Sequence, residues 1–283
     1  MQRRVAMVSG ASRGIGKASA LALAGAGYDV AITARTVREG TGVDDSVAGT
    51  APVPGSLETT AGAVEALGVR CLPLAADLLD RHALRTAVAE VLGRWGRVDV
   101  LVNNAVHTGP GSMERFLDLD VDTVATKLEA NVVAQLVLIK AVLPGMLERG
   151  EGTIVDITSA VATTDPPAPT GEGGWGLGYA VTKGAFHRVA GILAVELGPR
   201  GIFIVNVEPG YVLTERMTAA QERLGLAGRY PGAPPSVPAS VVAWLAGAGG
   251  GPSPEERADL NGTTISAQRF ARQRGLHPDW RRP

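Results

Sequence analysis

The chain predicts an α/β fold: a single-domain, doubly wound Rossmann-type parallel sheet of about seven strands with helices on both faces. Three observations carry this expectation. Short β-branched apolar runs alternate with longer Ala/Leu-rich stretches of helical spacing. The runs are nearly continuous in hydrophobicity, as strands buried on both faces are. A glycine-rich turn follows the first run and opens a helix. The strands are read as Val5–Ser9, Asp29–Thr33, Val69–Leu74, Val98–Val102, Gly152–Ile157 and Ile202–Val207. Helices are placed between them at about Gly14–Ala26, Leu57–Leu67, Arg81–Arg94, Leu119–Glu148 and Tyr179–Leu197. Crossovers of this kind leave a ligand crevice at the carboxyl ends of the strands.

Composition narrows the function. With 283 residues, 45% of them hydrophobic and 19% charged, the chain can bury one large core, and no linker divides it. Residues 1–283 are therefore read as one domain. A formal net charge of −1 supplies no basic field, which argues against nucleic acid or an anionic membrane and points to a small-molecule partner. Cys71 is the single cysteine, so no internal disulfide and no thiolate metal cluster can form, and no other ligand cluster suggests a metal. Its place in a strand reads as a buried structural thiol in a reducing cytoplasm. The opening MQRRVAMVSG runs straight into a strand and a turn, with no stretch that reads as a signal peptide or a membrane span.

Three Gly/Pro-rich segments, Thr36–Ser56, Ala160–Gly178 and Thr214–Pro238, each follow the carboxyl end of a strand. Loops there line the crevice in this architecture, so residues 160–178 and 214–238 are read as substrate-side loops. The first segment reads equally as a solvated insertion. The tail Gln268–Pro283 carries five arginines and is read as a solvated or subunit-contacting end.

The turn after the first strand is Ser9-Gly10-Ala11-Ser12-Arg13-Gly14-Ile15-Gly16. Gly10 permits a tight turn, Gly14 lets the backbone approach a pyrophosphate, and Gly16 allows close helix packing, while the helix amides face the phosphates. A dinucleotide is implied, with Gly10, Ser12, Arg13, Gly14, Ile15 and Gly16 around it. The second strand ends in Ala34-Arg35-Thr36 rather than in a carboxylate. Arg35, with Arg13 as a second guanidinium, can pair with a ribose 2′-phosphate, which favours NADPH/NADP over NADH.

Tyr179 and Lys183 stand four residues apart at the start of a helix, which puts phenol and ammonium on one face. A nearby ammonium stabilises phenolate and suits the tyrosine to general acid/base work. Upstream, the strand Gly152–Ile157 runs into Thr158 and Ser159, and one of these hydroxyls can face the crevice and bond a substrate oxygen. No GxSxG elbow surrounds Ser159, so it is not read as a nucleophile. His107 and His187 read as structural or loop residues.

Taken in order, Gly10-xxx-Gly14-x-Gly16, Asn103-Asn104-Ala105, Asn131, Ser159, Tyr179-xxx-Lys183 and Pro209-Gly210 resemble the short-chain dehydrogenases/reductases over about residues 3–215. The resemblance implies oxidoreduction between a small carbonyl and its alcohol, with catalytic Asn131, Ser159, Tyr179 and Lys183. Tyr179 would be the acid/base, Ser159 would position the carbonyl, Lys183 would bind the nicotinamide ribose, and Asn131 would hold a relay water. By the same resemblance Asp77, Leu78, Asn104, Ala105, Thr158, Pro209, Gly210, Val212 and Thr214 would join Tyr179 and Lys183 in cofactor binding. The segment 54–57 and the late 261–266 are similar to hydroxysteroid-dehydrogenase-like members. A homodimer or homotetramer through Leu119–Glu148 and Tyr179–Leu197 is implied too. Two departures stand out: Val106 replaces the family's glycine after Asn-Asn-Ala, and an insertion separates Ser159 from Tyr179. The alternative function is a catalytically silent NADP(H)-binding sensor or scaffold, against which the intact Asn131/Ser159/Tyr179/Lys183 set argues.

Overall fold

The structure is a computed structural model that describes residues 3–44, 51–223, 225, 227–229 and 231–280. Met1 and Gln2, residues 45–50 of the first long segment, Leu224, Leu226 and Tyr230 of the third, and Arg281, Arg282 and Pro283 of the tail lie outside the described residues.

Fully buried apolar strands force a layered arrangement, because each strand needs cover on both faces. The chain runs β1 (Val5–Ser9), α1 (Gly14–Gly25), β2 (Asp29–Ala34), a short hairpin β3 (Val43–Asp44) and β4 (Ala51–Pro52), then α2 (Leu57–Glu65), β5 (Cys71–Ala75), α3 (Arg81–Trp95) and β6 (Val100–Asn103). It continues through α4 (Val121–Leu128), α5 (Ala134–Arg149), β7 (Gly152–Ile157), α6 (Leu177–Leu197), β8 (Ile202–Glu208), α7 (Glu215–Arg223), α8 (Ser236–Leu245), α9 (Pro254–Leu260), β9 (Thr264–Ser266) and α10 (Ala267–Arg274). Seven strands form one parallel sheet in the order β5-β2-β1-β6-β7-β8-β9. One apolar layer joins Val8, Val30 and Val155 to Leu23, Val241 and Leu245 of α1 and α8. The other joins Met7, Leu101 and Ile154 to Leu84, Leu138 and Ala190 of α3, α5 and α6.

The order reverses between β1 and β6. The chain leaves β1 toward β2 and β5 on one side, then returns to pair β6 with β1 through Ala6↔Val100 and Val8↔Val102. A crevice must open there, at the carboxyl ends of the two strands.

Three expectations need correction. The helix read as Leu119–Glu148 is interrupted: α4 passes into a π-turn at Glu129–Val133 before α5 begins. One extra residue per turn is invisible to apolar periodicity, and such turns concentrate at functional sites. The span 121–149 is long and apolar enough to cross a membrane, but half of it is buried inside the fold. The first part of the tail folds into α10, where Ala271 is buried and the Arg274 guanidinium lies 4.5 Å from the Trp244 ring and 4.7 Å from the Phe270 ring, while Arg269, Arg272 and Arg274 stay exposed. Arginine stems cover aromatic surface while their charge stays wet. The segment 160–178 docks on the loop before α4, through Gly176 N to Ser112 O (2.9 Å) and Thr170 Oγ1 to Met113 O (2.7 Å). Two strands begin later than read, at Cys71 and Val100.

The opposite edge of the sheet is pinned by Asp99. Its buried carboxylate accepts from Val5 N (2.8 Å) and from Arg97 Nε (2.8 Å), with Arg149 at 3.7 Å. Asp99→Ala should lower unfolding free energy in urea by about 3 kcal/mol, because it strips a buried partner from two cations and an amide. Ligand binding at the carboxyl edge should be unchanged.

Candidate active site

The first strand ends in a turn that only glycine can make. Gly10 and Gly14 have φ of +67° and +59°, in the left-handed region. Gly16 is required for a different reason: a Cβ there would stand 2.3 Å from Gly10 O and 2.5 Å from Asn104 Nδ2. Asn104 Nδ2 uses that space to donate to Ser9 O (2.9 Å) and Gly10 O (3.1 Å). Ser9 Oγ in turn accepts from Asn104 N and Ala105 N, both at 3.0 Å. The glycine turn and the end of β6 are thereby one rigid unit.

A single cavity runs over this unit. In the order of the strands that carry them, its lining runs from Asp77 and Leu78 after β5 and Arg35 after β2, through Gly10, Ser12, Arg13, Gly14 and Ile15 after β1, with Thr214 against Gly14, and Asn104 and Ala105 after β6, to Thr158 after β7 with Tyr179 and Lys183 of α6 and Pro209 after β8. Gly16, Asn131, Ser159, Gly210 and Val212 lie outside the lining. Gly210 abuts Gln268, and Val212 bridges to Ala233. Ser159 is half-buried one residue past Thr158, where a 3-10 turn starts. Asn131 sits in the π-turn, where its Oδ1 accepts from His107 N (2.7 Å) and its Nδ2 donates to Thr182 Oγ1 (3.3 Å). Its side chain is committed to protein partners. Thr158 lines the cavity and shares a hydrogen bond with His187 Nδ1 (3.3 Å).

The turn faces a carboxylate of the chain itself. Glu215, the first residue of α7, accepts a hydrogen bond from Gly14 N (2.8 Å) at the amino terminus of α1. A negative charge at a helix amino terminus is favourable, because the amides and the helix dipole there are positive. Arg13 has another task beside its place in the lining. Its Nε donates to Pro54 O (2.9 Å) and its Nη2 to Gly55 O (2.8 Å) and Thr36 Oγ1 (3.2 Å), so it fastens the loop that precedes α2.

Lys183 is buried, and its Nζ donates to Ile157 O (2.8 Å) at the end of β7. That contact fixes the ammonium one helical turn from Tyr179, with both facing the cavity. A second buried ammonium was not legible in the sequence. Lys127 of α4 is completely buried and donates to Gly109 O (2.7 Å) and Ser112 Oγ (2.9 Å). It holds the loop that brings Val106, His107 and Thr108 into the lining. These three, and Arg216 beside the glycine turn, were missed as well. Their signal was position alone: the first three follow Asn103-Asn104-Ala105, and Arg216 follows Thr214.

A family model described as short chain dehydrogenase matches residues 44–225. The chain belongs to the short-chain dehydrogenase/reductase family. It is 32% identical over 227 residues to the cyclohexanol dehydrogenase of a Rhodococcus species, covering 80% of each chain. It is 33% identical over 233 residues to a short chain dehydrogenase of Pseudocercospora fijiensis, where it spans 82% of itself but 66% of that protein. Among solved structures it resembles the 3-oxoacyl-[acyl-carrier protein] reductase of Brucella melitensis in complex with NAD, with a TM-score of 0.72, 28% identity and coverage of 94% and 96%. It also resembles the L-sorbose reductase of Gluconobacter frateurii complexed with NADPH and L-sorbose, with a TM-score of 0.75, 25% identity and coverage of 94% and 96%. This short-chain dehydrogenase/reductase is an NAD(P)-dependent oxidoreductase acting on CH–OH or C=O groups.

A pyrophosphate approaching Gly14 N meets the Glu215 carboxylate. Glu215→Gln should therefore tighten dinucleotide binding several-fold, about 1 kcal/mol in a calorimetric titration, by removing a competing charge. An unchanged Kd would mean that the phosphates bypass this amide.

Proposed function

We propose that this short-chain dehydrogenase/reductase uses NADPH to reduce a small carbonyl compound, or NADP to oxidise the matching alcohol, with Tyr179 as the acid/base. The observation that carries the reading is one continuous cavity with Arg13, Arg35 and Arg216 at one end and Tyr179 and Lys183 at the other. The glycine turn fits a dinucleotide on its own terms, since it holds an anion at Gly14 N and has no Cβ in the way. The nicotinamide, when bound, supplies or accepts the hydride.

The protein moves the proton. In reduction the Tyr179 hydroxyl gives its proton to the substrate oxygen as charge develops there, and in oxidation the phenolate takes it back. Lys183, fixed by the Ile157 carbonyl, sets its positive charge one helical turn from Tyr179 on the same cavity. Ser159 and Thr158, at the carboxyl end of β7, are the hydroxyls that can bond the substrate oxygen. Asn131 anchors the loop that carries His107 through His107 N, which supports a role in holding the far wall of the cavity. At the other end Arg35, helped by Arg216, pairs with the 2′-phosphate and sets the preference for NADPH.

Assembly follows the outer helices. Val121 of α4 and Val181, Ile192 and Val195 of α6 are exposed apolar residues, which supports pairing of subunits through these faces in a homodimer or homotetramer. Burial pushes the Cys71 thiol up to about 12, which makes it an inert structural group and accords with a cytoplasmic enzyme.

Tyr179→Phe should reduce kcat on the order of a hundredfold or more while the Kd for NADPH is retained. Undiminished turnover would remove Tyr179 from its role. Arg35→Asp should shift the NADPH-to-NADH ratio of kcat/KM by roughly tenfold or more toward NADH. A constant ratio would move the phosphate contact to Arg216.

A further inference from the structure

The sheet carries a polar row that the mechanism above does not use. Asn103, Asp156 and Asn206 are register partners on β6, β7 and β8, so their side chains emerge side by side on one face. Leu101, Ile154 and Ile204, two residues before each of them, place that face under α5 and α6. All three polar residues are buried. Asn103 Nδ2 donates to Asp156 Oδ1 (2.8 Å), and Asn206 Nδ2 donates to His187 O (2.8 Å). Three acceptors, Asn103 Oδ1, Asp156 Oδ2 and Asn206 Oδ1, are left without a donor among the described residues. Buried acceptors without a donor are costly, and a carboxylate on the same face as two amide oxygens is costlier still. A proton on Asp156 Oδ2 would turn one of these acceptors into a donor, and Asn206, the register partner of Asp156 on β8, carries the neighbouring unpartnered acceptor on the same face.

We infer that Asp156 is a positioning residue that keeps its carboxyl proton in the folded enzyme near neutral pH, donates it to Asn206 Oδ1, and so leaves the Lys183 charge unopposed. Complete burial pushes the carboxyl up to about 7, against the opposing pull of the Asn103 amide and the Lys183 ammonium. Lys183 is the cation of α6 whose field reaches it, and that ammonium donates to Ile157 O. His187 on the same helix turns its ring to Thr158 and Thr264, and burial lowers its affinity for a proton. From α5 comes Gln135, which is uncharged and donates to Ala105 O (3.1 Å).

The catalytic consequence rests on the proposed Tyr179/Lys183 chemistry. With Asp156 neutral, the ammonium acts on Tyr179 at full strength; an ionised Asp156 would partly cancel it. The stability consequence is separate. The folded-state value lies above the ordinary 3.8, so the folded chain binds this proton more tightly than the unfolded one. Stability from the group is complete below the ordinary carboxylate range and is lost as pH rises through about 7.

The test compares the full-length enzyme with Asp156→Asn, whose amide offers Asn206 a donor at every pH. Infrared difference spectra, wild type minus variant at neutral pH, should contain the carbonyl stretch of a protonated carboxyl. From about pH 5 to about pH 8 the urea midpoint of wild type should fall more than that of the variant. The wild-type kcat/KM profile should bend near pH 7, and the variant's should not. A carboxylate-only spectrum with parallel stability curves overturns the assignment. A protonated carboxyl with superimposable kcat/KM profiles overturns the positioning role. Should the variant not fold, a pH titration of the same carboxyl band in wild type decides the first point. Because infrared and unfolding need no turnover, failure of the Tyr179 chemistry leaves those two results to be judged separately.

Discussion

The Asn104 side chain fills the space where Gly16 has no Cβ, and the site depends on that contact. It ties the carboxyl end of β1 to the carboxyl end of β6, the two strands between which the sheet reverses direction. Because Ser9 Oγ accepts from the next two amides, the glycine turn cannot move without the loop that carries Ala105 and Val106. The amides that face an anion and the wall that faces the reacting end are therefore set by one small hydrogen-bonded unit. Its internal hydrogen bonds fix the turn's geometry, which is what preorganisation requires.

Charge around that unit is balanced rather than simply positive. Arg13, Arg35 and Arg216 line the cavity, while Glu215 caps α1 and Glu39 accepts from Gly55 N (2.8 Å). Hydrogen bonding from the Gly55 amide outweighs solvent loss and holds the Glu39 carboxyl below its usual range, so it stays ionised. The cavity is therefore not a bare cationic slot. The loop before α2, fastened by Arg13, brings Thr36 and Val43 to the same cavity. One guanidinium thus lines the cavity and fastens that loop at the same time.

Much of this was legible in the sequence, for reasons that particular residues show. Val5–Ser9, Gly152–Ile157 and Ile202–Glu208 are buried on both faces, and continuous β-branched runs report that directly. Gly10 and Gly14 announced their turn because no other residue accepts their φ values at low cost. Tyr179 and Lys183 were legible because helical spacing alone puts them together. Lys127 was not, since a lysine in an apolar helix normally reaches water, and only the folded loop supplies the carbonyls that replace it. Arg13 was read as a phosphate ligand alone because its loop partners lie 41 and 42 residues away. The π-turn at Asn131 escaped for a related reason: apolar periodicity does not record an inserted residue.

The central claim is that this cavity brings a nicotinamide and a carbonyl together for direct hydride transfer. It is tested most directly by incubating the enzyme with NADPH deuterated at the reactive nicotinamide carbon and a panel of small ketones and aldehydes, then weighing the product alcohols. The account predicts one deuterium in the product of any accepted substrate. Saturable NADPH binding with no label transferred across the panel, or product alcohol formed without label, would contradict it.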